Sequence, residues 1–177
     1  MKYVELHARS AFSFLEGASL PEELAAVCAQ RELPAMALLD SDGVYGAPRF
    51  HMAAEKAGIK AHIGAEVSTA SSTTASGKVS GKQDKSVSVF ADFSKTVGAI
   101  RYPLLVESRT GYQNLCRLIT RYKLRERKKG EGRAKLSELA EYSQGLICLT
   151  GGSDGPLAQA LCTGGMEAGP PAEAPSR

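Results

Sequence analysis

Three short apolar runs separated by two helix-like segments constrain this chain more than any other feature. Residues 3–7 (YVELH), 35–39 (AMALL) and 61–67 (AHIGAEV) read as strands. Before the second run, Pro21, Glu22 and Glu23 open a helix, with Ser19 as the expected N-cap and the two carboxylates favouring its positive end. Leu24, Val27 and Cys28 then recur at helical spacing. Residues 46–56 read as a second helix, closed by Gly58 as a left-handed cap. Strands alternating with helices predict an α/β fold with parallel pairing and right-handed crossovers. Sheets of this kind gather functional groups at the C-terminal ends of their strands. That rule selects His7, Asp40 and Glu66, each at such an end.

After residue 67 the composition changes. "STASSTTASGKVSGKQDKS" is rich in Ser, Thr, Gly and Lys and holds almost nothing to bury, so residues 68–99 are expected to form a flexible insert. Order should resume over residues 100–163. "RYPLLVES" reads as a strand, "TGYQNLCRLITRYKLRER" and "KLSELAEYSQ" as helices, and "GLICLTGG" as a further buried strand. Residues 164–177 ("GGMEAGPPAEAPSR") form a tail without core content. The domain thus divides into 1–67, an insert, 100–163 and a tail. Four scattered cysteines, Cys28, Cys116, Cys148 and Cys162, include no CxxC pair and are expected to be buried, reduced thiols of a cytoplasmic protein.

A histidine with two carboxylates at one sheet end could hold zinc, manganese or magnesium and activate water for phosphoester hydrolysis. Each residue also has a plainer reading. His7 alone suits a hydrogen-bonded core histidine, Asp40 precedes a Ser-Asp-Gly turn, and Glu66 could simply begin a loop. His51 and His62 lie inside a helix and a strand and are not expected to ligate.

Together, "LHARSAFSFLEGAS", "PAMALLDSDGVYGAPRFHMAAEKAGIKAHIGAEV" and "LLVESRTGYQNLCRLI" resemble the PHP (polymerase and histidinol phosphatase) domain that begins bacterial C-family DNA polymerases. These are the alpha subunit of DNA polymerase III and its error-prone relative, and "ELHARSAFSFLEGAS" leans toward the error-prone branch. The resemblance implies a distorted (β/α) barrel, incomplete over this length, whose active members hold up to three metals. His7 stands at the first histidine of the family's His-x-His, with Arg9 where the second belongs. Asp40 matches the aspartate of Thr-Asp-His, with Ser41 replacing the histidine, and Glu66 matches the glutamate of Gly-x-Glu. Arg101 lies about where a histidine is usual, and Gly152 about where a ligand cysteine is usual. His7, Asp40 and Glu66 would then be a metal site's remnant. Arg9 would supply a fixed guanidinium in place of the ion, against Asp40 or Glu66. No cofactor is expected, or zinc or manganese if the remnant retains affinity.

The resemblance further implies DNA and replication or repair proteins as partners. The acidic cluster that performs polymerisation lies downstream of this domain in the family, so the chain reads as the front of a polymerase, silent by itself. Its shortened barrel could self-associate through an unpaired strand edge. A metal-dependent PHP phosphoesterase is the alternative. A third reading is a nucleic-acid-binding module built on residues 117–135, which hold nine Lys or Arg. There Arg121, Tyr122, Lys123, Arg125, Arg127, Lys128 and Lys129 would contact a phosphate backbone. The plainer account is a cationic helix end favoured by the helix dipole. The net charge of +3 does not decide between them. No apolar run is long enough to span a membrane.

Overall fold

The computed structural model describes residues 3–69, 100–126, 128, 130–153 and 155–163. Among these residues five strands form one open sheet in the order β1 (Glu5–Ala8), β2 (Ala35–Ser41), β3 (Lys60–Thr69), β4 (Ile100–Val106) and β5 (Leu146–Cys148). Helices α1 (Pro21–Gln30) and α2 (Ala47–Ala57) connect β1 to β2 and β2 to β3. After β4 come α3 (Arg109–Arg125), α4 (Leu136–Glu141) and α5 (Pro156–Thr163), the last of which the sequence pattern did not indicate.

The α/β class and the helix-covered sheet agree with expectation, and β1, β2 and β3 pair in parallel. Strand β4 departs from it. Thr69 pairs with Ile100, so the chain re-enters the sheet at the end where it left, and β4 must run antiparallel to β3. Antiparallel pairing with β4 then restores β5 to the direction of the first three strands. The strand β3 also continues two residues past the expected boundary, with Ser68 and Thr69 both buried in it. The rest of the expected insert, residues 70–99, lies outside the described residues, as does the 164–177 tail.

Register sorts the core. Met36, Leu38 and Asp40 of β2 pair with Ala61, Ile63 and Ala65 of β3, and paired residues share a sheet face. On that face Met36 and Leu38 pack with Ala25, Cys28, Phe50 and Ala54 of α1 and α2. Further along it, Ala65, Val67 and Leu104 pack against Leu115, Leu118, Ile119 and Tyr122 of α3. The tight seat of α3 needs a glycine, because a Cβ on Gly111 would lie 1.8 Å from the carbonyl oxygen of Gly145.

Three local expectations need correction. Leu20, not Ser19, is the N-cap of α1, and its backbone N–H donates to Glu23 Oε2 at 2.8 Å. The last strand is three residues long and mostly exposed rather than buried, because it closes the edge of an open sheet. For the same reason Cys148 is exposed, whereas Cys28 is buried and Cys116 half-buried; all three are free thiols.

Candidate functional site

The C-terminal ends of β1, β2 and β3 lie side by side, and the loop of residues 9–20 folds across them. Ser41 pairs with Glu66 and Arg101 with Ser68, so the side chains of Ser41, Glu66, Ser68 and Arg101 share the face opposite the helices. Because β4 is reversed, Arg101 near its start reaches the end of β3.

Glu66 is the centre of this cluster, with its side chain 2% exposed. His7 Nε2 contacts Glu66 Oε1, Arg9 Nη2 lies 2.6 Å from Glu66 Oε2, and Arg101 Nη1 lies 3.5 Å from the same oxygen. No donor meets Oε2 in hydrogen-bond geometry among the described residues. The Arg9 contact is therefore a close ion pair whose N–H bonds are not aimed at the oxygen. Sequence reasoning missed the second carboxylate, Glu16. Arg101 grips it with both terminal nitrogens, at 2.5 and 2.6 Å, Ser41 Oγ donates to it at 2.6 Å, and Arg9 stands 3.4 Å away. Two guanidiniums thus interleave with two carboxylates.

Asp40 does not join them. One residue out of phase with Ser41, it points to the helix face and is 1% exposed. Its Oδ1 accepts from Ser10 N–H at 2.8 Å and from the Ser10 and Ser13 hydroxyls at 2.9 Å, while Ser10 Oγ also reaches Oδ2 at 2.9 Å. Asp40 therefore clasps the loop instead of converging with His7 and Glu66. The expected contact of Arg9 falls on Glu66. Gly152, in the turn after β5, is exposed.

Arg101, more than the opposing effect of burial, holds the Glu16 carboxyl down at about 2, with Ser41 and Arg9 contributing. A depressed carboxyl contributes stability that is complete above its unfolded value and fades as pH falls toward the folded one. Glu16→Gln should therefore destabilise at neutral pH, and the gap from the natural chain should narrow between about pH 4.5 and pH 2. Urea midpoints of both chains across that range check this; a constant gap would deny the ion pair its role.

The residues present do not fit a multinuclear metal centre. Among the described residues no three of His, Cys, Asp and Glu are placed to hold an ion. Two guanidiniums already bracket the carboxylate that would bind it.

The basic stretch is also largely committed to internal contacts. Arg121 pairs with Glu141 at 2.7 Å, Arg125 with Glu138, and Lys128 approaches Glu131 at 3.7 Å. Lys123 Nζ donates to the Tyr45 hydroxyl at 3.0 Å. Tyr122 is not a surface stacking residue: fully buried, it donates to Asp42 Oδ1 at 2.8 Å, because its position in α3 faces the sheet. Burial and the Asp42 carboxylate hold its hydroxyl protonated. Arg127 and Lys129 lie outside the described residues. No helix among the described residues is long and apolar enough to cross a membrane.

The sequence matches the profile of the PHP domain over residues 5–174. It is 38% identical over 167 residues to an error-prone DNA polymerase of Mycolicibacterium paratuberculosis, covering 94% of this chain and 14% of that protein. An error-prone DNA polymerase of an Anaeromyxobacter species is 35% identical over 162 residues, covering 87% of this chain and 12% of the relative. The DNA polymerase III subunit alpha of Buchnera aphidicola is 29% identical over 164 residues, covering 92% of this chain and 12% of that subunit. The chain therefore spans about an eighth of the length of these relatives.

Proposed function

The chain belongs to the PHP domain family, and we propose that it is the PHP segment of an error-prone C-family DNA polymerase, acting as a catalytically silent scaffold in the cytoplasm. Homology to error-prone polymerases over most of the chain supports the polymerase setting. The observation that carries the silent reading is the 2.6 Å approach of Arg9 to buried Glu66, reinforced by Arg101. A cation brought to Glu66 would meet two fixed positive charges before it met a third ligand. In this reading the charge that a metal would neutralise is neutralised by the chain itself, and the cluster ties β1, β3, β4 and the 9–20 loop into one rigid end. DNA and other replication or repair proteins are its proposed partners. The exposed edge of β5 is the proposed route of any self-association.

Metal analysis of the purified chain, paired with activity assays, tests the proposal. The expected result is no bound zinc or manganese after exposure to either ion, no primer extension, and no nucleotide release from single-stranded DNA. Stoichiometric metal, with nucleotide release abolished by Glu66→Ala, would instead establish a metal-dependent phosphoesterase.

A further inference from the structure

Beside the charged cluster, and sharing Ser41 with it, lies a groove of about 760 Å³. One wall is the 9–20 loop, which carries Phe12 and Phe14; the other is formed by Tyr45, Lys123 at the end of α3, and Lys128. Phe14 is 84% exposed. Burying a phenylalanine is worth roughly 2 kcal/mol, and a loop free to move would turn such a ring inward. This loop is not free to move. Asp40 holds Ser10 and Ser13, Arg101 holds Glu16, and Ala11 N–H donates to the Ser19 carbonyl at 2.8 Å. The fold thus presents a flat apolar ring to solvent on a braced support, opposite two ammonium groups. The Lys128 side chain stays 77% exposed beside its 3.7 Å approach to Glu131 and so keeps donors for a phosphate. Lys123 is itself fixed, 5.0 Å above the Tyr45 ring.

We propose that this groove binds a short stretch of single-stranded nucleic acid, one base stacking on Phe14 while Lys123 and Lys128 meet neighbouring phosphates. This rests on the polymerase reading above and gives it a contact surface distinct from the charged cluster. The chemistry favours a single strand over the alternatives. A duplex hides its base faces, so Phe14 would gain nothing from it, and an acidic peptide would use the lysines but has no general need for the ring. Asp42 and Glu126 also line the groove, Asp42 engaged by the Tyr122 hydroxyl and the Ser68 N–H, which suits modest affinity without sequence preference.

The test is fluorescence anisotropy of the whole chain with a labelled oligothymidylate of about 10 nucleotides, at low salt and with a chelator present. Phe14→Ala should weaken binding by about tenfold or more, as loss of one stacked base does, while Phe14→Trp retains it. Lys123→Gln combined with Lys128→Gln should flatten the dependence of log affinity on log salt by about 1.4, the value for two single-strand phosphates. The Phe14→Ala chain should melt with the natural chain, because that ring is already in solvent. The proposal is overturned if the natural chain does not bind, if duplex of the same sequence binds equally well, or if Phe14→Ala binds unchanged. Heparin competition that ignores Phe14 would likewise reduce the groove to a polyanion site. The chelator separates the two readings: nucleotide release on adding manganese would sink the silent scaffold and leave the groove standing.

Discussion

Replacing Arg9 by alanine should lower the unfolding free energy by about 3 kcal/mol, the cost of stranding the buried Glu66 carboxylate beneath a partly exposed guanidinium. Two side chains besides Arg9 touch Glu66, and neither is placed to take over. His7 contacts the other carboxylate oxygen, Oε1, and carries charge only when protonated. Arg101 stands 3.5 Å from Oε2 with its fork already engaged by Glu16. Removing Arg9 would therefore leave a 2%-exposed carboxylate with its nearest fixed charge gone. Arg9→Lys should recover part of the loss, because an ammonium supplies the charge without spanning Glu66 and Glu16 together. A double-mutant cycle with Glu66→Gln isolates the pair from incidental packing. Denaturant unfolding of the four chains gives the coupling, and additive losses would show that Arg9 and Glu66 merely sit near each other. The same geometry predicts a gain. Arg9→His combined with Ser41→His would remove one guanidinium and add two imidazoles beside His7 and Glu66. That chain should bind zinc measurably where the natural one does not.

How much of this was legible beforehand follows from what is local in a sequence. The runs at 35–39 and 61–67 declare themselves because every residue of a buried strand must be apolar or paired, and β2 is buried along nearly its whole length. Resemblance located His7, Arg9, Ser41 and Glu66, and the structure gathers these around the end of β3. Asp40 was misplaced for a definite reason. Strand ends were identified without the pairing of Ser41 to Glu66, and a shift of one residue sends a side chain to the opposite face. That register is a non-local fact, set by where Ala35 meets Lys60. Glu16 was invisible for a different reason: it sits in a loop with no period, and its partners Ser41 and Arg101 are 25 and 85 residues away. The direction of β4 was equally hidden, since the return at Ile100 beside Thr69 cannot be read from either strand alone. Tyr122 was assigned to a surface by the basic residues around it. The period of α3 around Leu115, Leu118 and Ile119 put it in the core instead.

If Asp40 is a clasp, its removal should be as costly as that of Arg9 but should fail in a different place. Asp40→Ala withdraws the acceptor from three donors at once, Ser10 N–H and the hydroxyls of Ser10 and Ser13. Each buried donor left unpaired costs about 1–3 kcal/mol, and some relaxation will soften the sum, so about 3 kcal/mol is expected in total. The surroundings are tight enough to hinder repair by water, because a Cβ on Gly46 would come within 2.7 Å of Asp40 Oδ2 and 3.1 Å of Ser10 Oγ. The damage should concentrate in the 9–20 loop, whose tip carries the exposed Phe14 and Leu15. Brief chymotrypsin treatment of Asp40→Ala should cut there well before it cuts β2 or β3, while the natural chain resists at the same site. Asp40→Asn should behave between the two, since its amide oxygen can still accept from Ser10 N–H but its nitrogen turns a donor toward hydroxyls that need an acceptor. An Asp40→Ala chain that keeps both its midpoint and its resistant loop would show that Ser10 and Ser13 find other partners, and the loop would then owe its form to Glu16 and the arginines alone.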